Sequence, residues 1–219
     1  MIGAVIAMQS EADILLSQMK IHRFLTVSGK QIHIGTAFGK EVAVCVCGVG
    51  KVNASLGTQL LVSKFDVNCL LNFGVAGGLN DGTKLCEIYQ ISHAVQFDFD
   101  LVQLNGTKMG TLNEYDEPYL PLNLLDLPFP LKKLGTADRF NDSLEDYKLL
   151  TQELGADIRD MEGGAIVQGA LATKLPVYSF KGISDVAGSG STTEQFLQNK
   201  DKALNNLQSV LADIFALLP

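Results

Sequence analysis

Positive charge is scarce in this sequence: 17 Lys and Arg stand against 24 Asp and Glu, for a formal net charge of -7. Nucleic-acid affinity rests on clustered Lys and Arg, so that balance excludes nucleic acid as an expected partner. It excludes an anionic membrane surface for the same reason. Long apolar runs are also missing. The longest charge-free stretch, Val67 to Asn80, is broken by asparagines and glycines, whereas a membrane helix needs about 20 consecutive apolar residues. The N-terminal MIGAVIAM carries no basic residue, and Glu11 and Asp13 follow where a cleavage site would sit. It does not read as a signal peptide. Cysteines are few and make no C-x-x-C pair: Cys45, Cys47, Cys69 and Cys86 all lie in apolar runs. They read as reduced core residues of a cytoplasmic protein. His22, His33 and His93 are far apart and fit no ligand spacing, so no metal site is expected. The chain has neither a G-x-x-x-x-G-K-[ST] loop nor G-x-G-x-x-G, and no nucleotide cofactor is expected.

What is present is a core-building chain. Hydrophobic residues make up 47% and charged ones 19%, enough for one globular domain over residues 1–219. Ile2 to Met8 reads as a buried strand and Ser10 as the N-cap of a helix carrying Ile14, Leu15 and Met19. Phe24 to Val27, Gln31 to Phe38 and Val42 to Cys47 read as β, joined by SGK and FGK hairpin turns. A helix is expected over Val52 to Phe65 and a strand over Leu70 to Phe73, followed by the glycine-rich GVAGGLNDG. Ile88 to Phe99 and Lys132 to Arg139 read as β, separated by an irregular excursion holding Pro118, Pro121, Pro128 and Pro130. Ser143 should cap a helix ending at Gly155. A small-residue helix over Gly163 to Leu175, a strand over Pro176 to Ser184 and a long helix over Thr192 to Leu218 complete the chain. The expected fold is α/β: a single domain with a mixed central β-sheet flanked by α-helices.

In such sheets ligands bind beyond the carboxyl ends of strands. Four strand ends carry unusual residues: M8-Q-S-E11, N72-F-G-V-A-G-G78, D160-M-E162-G-G and I183-S-D185-V-A. Glu11, Glu162 and Asp185 thus follow apolar strands where the chain switches direction. Any one of them alone is explained as a helix cap or dipole partner. Together, with glycines between them that let backbone approach a flat ligand, they suggest a concave site rich in carboxylates.

The chain resembles the 5′-methylthioadenosine/S-adenosylhomocysteine nucleosidase family, within the wider nucleoside phosphorylase superfamily. The resemblance runs through A-M-x-x-E (Ala7 to Glu11), G-V-G-K-V-N-A (Gly48 to Ala54), N-F-G-V-A-G-G-L (Asn72 to Leu79), D-x-D (Asp98, Asp100), T-A-D-R-F (Thr136 to Phe140), D-M-E-G-G-A (Asp160 to Ala165) and I-S-D-V-A (Ile183 to Ala187). It implies hydrolysis of the N-glycosidic bond of methylthioadenosine or S-adenosylhomocysteine, with 5′-deoxyadenosine as a further candidate, and a homodimer. Asp185, with Ser184, would protonate purine N7, and Glu11 would activate the attacking water. Glu162 would hold the ribose hydroxyls, with Met161 packed on the sugar. Phe140 would stack on the base and the backbone of Asn141 read its edge. Ala76 and Gly77 would approach the substrate, and Met8, Val49 and Phe196 would wall the 5′-alkylthio group.

Three positions depart from the family pattern. Val75 stands where many members have Ser, Lys181 where they have Arg, and Phe97 where they have His. Val75 and Lys181 lie near the family's water site; Lys keeps the charge of Arg but not its bidentate fork. The segment after Asp100, where a dimer partner would complete the 5′ pocket, resembles the family poorly. Leu120 to Leu131 could serve as partner surface or pack on its own domain. Two other functions remain open on the residues: a phosphorylase, which would need groups to bind phosphate, and a non-catalytic purine-binding domain.

Overall fold

The computed structural model describes residues 1–80 and 82–219; Asp81, in the glycine-rich segment, lies outside them. Its framework is a mixed sheet of ten strands among the described residues. Strand β1 (Ile2–Ile6) lies between β4 (Lys40–Val46) and β5 (Cys69–Gly78), parallel to both. On the far side of β4, β3 (Lys30–Ala37) and β2 (Lys20–Val27) add antiparallel. The SGK and FGK turns join them as expected, with Gly29 and Gly39 at positive φ.

The other half of the sheet closes on itself. β5 pairs with β10 (Val177–Val186), β10 with β6 (Ile88–Gln96), β6 with β8 (Leu131–Thr136), β8 with β9 (Ile158–Asp160), and β9 returns to β5. The two-residue β7 (Leu120–Pro121) pairs with β6. Every residue of β5 except Val75 is buried, which explains its continuous apolar character. At the centre, Ser179 Oγ donates to Asn72 Oδ1, and Asn72 Nδ2 donates to the carbonyl of Val5. One buried amide thereby ties together three neighbouring parallel strands.

Helices cover the sheet. α1 (Gln9–Leu16) and α6 (Thr192–Leu217) pack together on one side, α6 delivering Leu204, Leu207, Leu211, Ile214 and Phe215 to the core. α2 (Lys51–Lys64) and α5 (Gly163–Ala172) pack together elsewhere, where Gly169 admits Thr58. α3 (Val102–Asn105) is a single turn in the excursion. α4 (Leu144–Lys148) is capped by Ser143 as expected, but continues as a π-helix, Leu149–Leu154, before Gly155 ends it in the left-handed region.

Several expectations are revised. α1 begins at Gln9 rather than after Ser10, because Glu11 reaches back to accept from the amide of Met8 at 3.1 Å. The glycine-rich run is strand through Gly78, since β10 pairs with it throughout. Within Leu120 to Leu131, Leu120 and Leu122 are buried and Phe129 sits edge-on to Phe180 at 5.9 Å, while Leu124 and Leu131 are exposed. All four cysteine thiols are free and buried. His22, His33 and His93 lie on β2, β3 and β6. Among the described residues no helix is long and apolar enough to cross a membrane.

Candidate active site

The strand ends converge on a cleft of about 380 Å³. Met8, Glu11, Val49, Ala76, Gly77, Phe140, Met161, Glu162, Ser184, Asp185 and Phe196 all line it. Lys181 and Asn141 do not. Lys181 lies buried on Asp160, and the Asn141 side chain turns to Asp146, donating at 2.9 Å. The cleft also gains Arg139, Arg159, Asp160 and Leu197, which the sequence reading gave no role.

The position of Glu11 follows from the sheet. β5 pairs with β1 at its start, Cys69 to Leu71, and with β9 at its end, Gly77 and Gly78. Between them Gly74 to Ala76 has no strand on that side among the described residues. Glu11 enters the gap and its Oε1 accepts from the amide of Val75 at 2.8 Å. A Cβ on Gly74 would collide with that same oxygen, so this glycine makes room for the carboxylate. Burial pushes Glu11 above the usual carboxylate range, opposed by Lys181 and by the amides of Val75 and Met8.

Glu162 ends the loop after β9, where its Oε1 accepts from the amide of Gly50 at 2.8 Å. Burial, then the neighbouring Asp160, pushes it up to about 7. Asp160 is held by Thr136 Oγ at 2.6 Å, by the amides of Glu162 and Gly163, and by Lys181 Nζ at 2.9 Å. Burial alone would pull Lys181 down, but Asp160, Glu11 and Glu162 more than offset it and hold the ammonium above its ordinary value. Three carboxylates therefore surround one cation. In so dry a site charge acts strongly.

The purine-side candidates come from β10. Asp185 Oδ1 accepts from Ser184 Oγ at 2.7 Å. Burial raises the Asp185 carboxyl, while Ser184 and Arg159 work against the rise. Phe140 and Phe196 meet edge to face at 5.8 Å across the mouth, and Phe140 is 49% exposed. Gln195 on α6 exchanges hydrogen bonds with the backbone of Val186, fixing the helix that carries Phe196 to the strand that carries Asp185.

A family model described as the phosphorylase superfamily matches residues 1–216. The chain belongs to that superfamily. Among curated relatives, the 5′-methylthioadenosine/S-adenosylhomocysteine nucleosidase of Colwellia psychrerythraea is 29% identical, covering 95% of this chain and 93% of its own. That of Halalkalibacterium halodurans is 27% identical over 96% of both. The solved Colwellia nucleosidase, in complex with adenine, is 26% identical with a TM-score of 0.88, over 99% of this chain and 95% of that one. Futalosine hydrolase of Helicobacter pylori shares the fold, at 22% identity, a TM-score of 0.90 and coverage of 99% and 97%. These matches agree with the nucleoside phosphorylase-like fold expected from the sequence.

Proposed function

We propose that this member of the superfamily is a nucleosidase that hydrolyses the N-glycosidic bond of 5′-methylthioadenosine and S-adenosylhomocysteine, releasing adenine and the 5′-substituted ribose. The observation that carries the choice of water over phosphate is the cluster of Glu11, Asp160 and Glu162 around the single ammonium of Lys181, which Asp160 already engages. An incoming phosphate would find that cation already engaged by Asp160 and three carboxyl groups beside it. Neutral water meets no such penalty, and Val75 offers no hydroxyl to an oxyanion. Relatives named as nucleosidases point the same way.

The roles follow from charge development. Breaking the C1′–N9 bond builds positive charge on the sugar, which preorganised carboxylates stabilise. Glu162 holds the ribose hydroxyls and Met161 packs on the sugar. Glu11 takes the proton from the attacking water. Asp185, whose protonated form burial favours, delivers a proton to N7, so the base leaves neutral. Phe140 stacks on the purine, the backbone at Asn141 reads its edge, and Ala76 and Gly77 let the substrate approach β5. Met8, Val49 and Phe196 wall the 5′ group. Lys181 acts from behind, sustaining the charge of Glu11.

The working unit is a homodimer, the whole chain forming one domain per subunit. Val52 and Leu56, one turn apart on α2 beside the Val49 wall, are 71% and 56% exposed, an apolar strip that a second copy would cover. Sedimentation as a monomer at micromolar concentration would count against this.

A substrate panel tests the activity: methylthioadenosine, S-adenosylhomocysteine, 5′-deoxyadenosine, adenosine and inosine, each with and without phosphate. The 5′-thio compounds should release adenine at rates independent of phosphate. Binding of these nucleosides without turnover, or an absolute need for phosphate, would overturn the proposal.

A further inference from the structure

Arg159 is a charged cleft residue that the roles above leave unused. Gly77 on β5 pairs with Arg159 on β9 and with Asp185 on β10. Residues opposed across neighbouring strands project to the same face. Gly77 has no side chain, so its two neighbours close over it: a Cβ there would lie 2.8 Å from Asp185 Oδ2 and 3.3 Å from Arg159 Nε. Arg159 Nη2 and Asp185 Oδ2 are both buried, and neither has a hydrogen-bond partner among the described residues. Ser184 already serves the other Asp185 oxygen. The free carboxylate oxygen thus shares a buried space with the Arg159 side chain, across a glycine that keeps it clear.

We propose that Arg159 is a positioning residue for proton transfer, stabilising the carboxylate that Asp185 becomes as it protonates the departing purine. This rests on the general-acid role given to Asp185. In the step, the Asp185 proton moves to N7 and the electron pair of the C1′–N9 bond passes to the base, which leaves as neutral adenine. Water adds to C1′ and gives its proton to Glu11. Asp185 ends as a buried carboxylate, a costly species unless a cation lies near. Arg159 keeps its charge throughout. The other charged group acting on Asp185 is Asp142, which opposes ionisation and is exposed.

The test compares Arg159→Gln and Arg159→Lys on two substrates: methylthioadenosine, whose base must be protonated, and the 4-nitrophenyl 5-methylthioriboside, whose nitrophenolate leaves unaided. Arg159→Gln should lower kcat on methylthioadenosine by about 10- to 100-fold, part of the ~10²–10⁴ that a general acid supplies. Its alkaline limb in kcat/KM should move up by about 1–3 pH units, the shift one opposite charge at this range produces. Arg159→Lys should restore most of both, the nitrophenyl substrate should be unaffected, and in an Asp185→Asn background the Arg159 effect should vanish. Equal losses on both substrates, or an unmoved alkaline limb, would overturn the proposal while leaving the nucleosidase reading intact. A wild-type protein inert toward both substrates would instead sink that reading. In that case the carboxyl band of Asp185, from wild-type minus Asp185→Asn infrared difference spectra, still decides the pairing: its titration midpoint should rise in Arg159→Gln, and an unchanged midpoint refutes it.

Discussion

Lys181→Met removes the cation from the carboxylate cluster. The ammonium and Asp160 Oδ2 are 2.9 Å apart, with side chains 3% and 2% exposed. Removing one partner of a buried pair costs about 3–5 kcal/mol, a large part of the ~5–15 kcal/mol that holds a domain together. At about 2–4 °C per kcal/mol for this chain length, the melting temperature should fall by roughly 6–20 °C. The deficit should depend on pH, and its sign is fixed. Burial already raises Glu162 from 4.5 to about 7 in the folded protein. A group whose folded value is raised contributes stability at low pH and loses it as pH climbs from its unfolded to its folded value. For Glu162 that is roughly 3 kcal/mol, at 1.36 kcal/mol per pH unit. Without Lys181 Glu162 and Glu11 rise further, so the variant suffers most above neutrality and recovers in acid, where they take up protons. Urea denaturation at about pH 5 and about pH 8 measures this directly, with Lys181→Arg as the charge-retaining control. A Lys181→Met protein within ~1 kcal/mol of wild type at the higher pH, or a deficit that does not shrink in acid, refutes the reasoning.

Gly74→Ala should displace Glu11 and cost at least ~10² in kcat, the lower range for a general base, visible in steady-state kinetics with methylthioadenosine. Asp185→Asn should lose ~10²–10⁴ in kcat while equilibrium binding of adenine survives. Phe140→Ala removes the aromatic face at the mouth and should weaken substrate binding by about 1–3 kcal/mol, the worth of a base stack, read by calorimetry with a non-hydrolysable analogue.

Much of the site was legible because its chemistry sits at strand ends. Glu11, Glu162 and Asp185 stood out as carboxylates following apolar runs, and the structure gathers all three. The sequence marked a strand end at D160-M-E162-G-G but not the strand's extent or partners, so Arg159 and the pairing of Asp160 went unread. β9 is three residues long, too short for a period of two to register, and exists through its pairing with β8 and β5. The signal that could have found it is the charged Arg159 between Ile158 and the D-M-E-G-G turn. Closure of the sheet through β5, β9 and β10 is likewise set by long-range register rather than local pattern. The expected strand stopped at Phe73, before the glycine run, because glycine weakens strands in isolation. Here it remains strand because Glu11 needs the space over Gly74, and Asp185 and Arg159 the space over Gly77. The Lys181–Asp160 pair was invisible for the same reason: its partners are 21 residues apart in the chain, on β10 and β9.

The central claim is that Glu11 directs water, rather than phosphate, to C1′. It is tested most directly by following adenine release and the sugar product from methylthioadenosine in phosphate-free and phosphate-containing buffer, for wild type and Glu11→Gln. Adenine and 5-methylthioribose should appear in stoichiometric amounts at a phosphate-independent rate, with Glu11→Gln slower by ~10²–10⁴. A 5-methylthioribose 1-phosphate product, or full activity in Glu11→Gln, would contradict it.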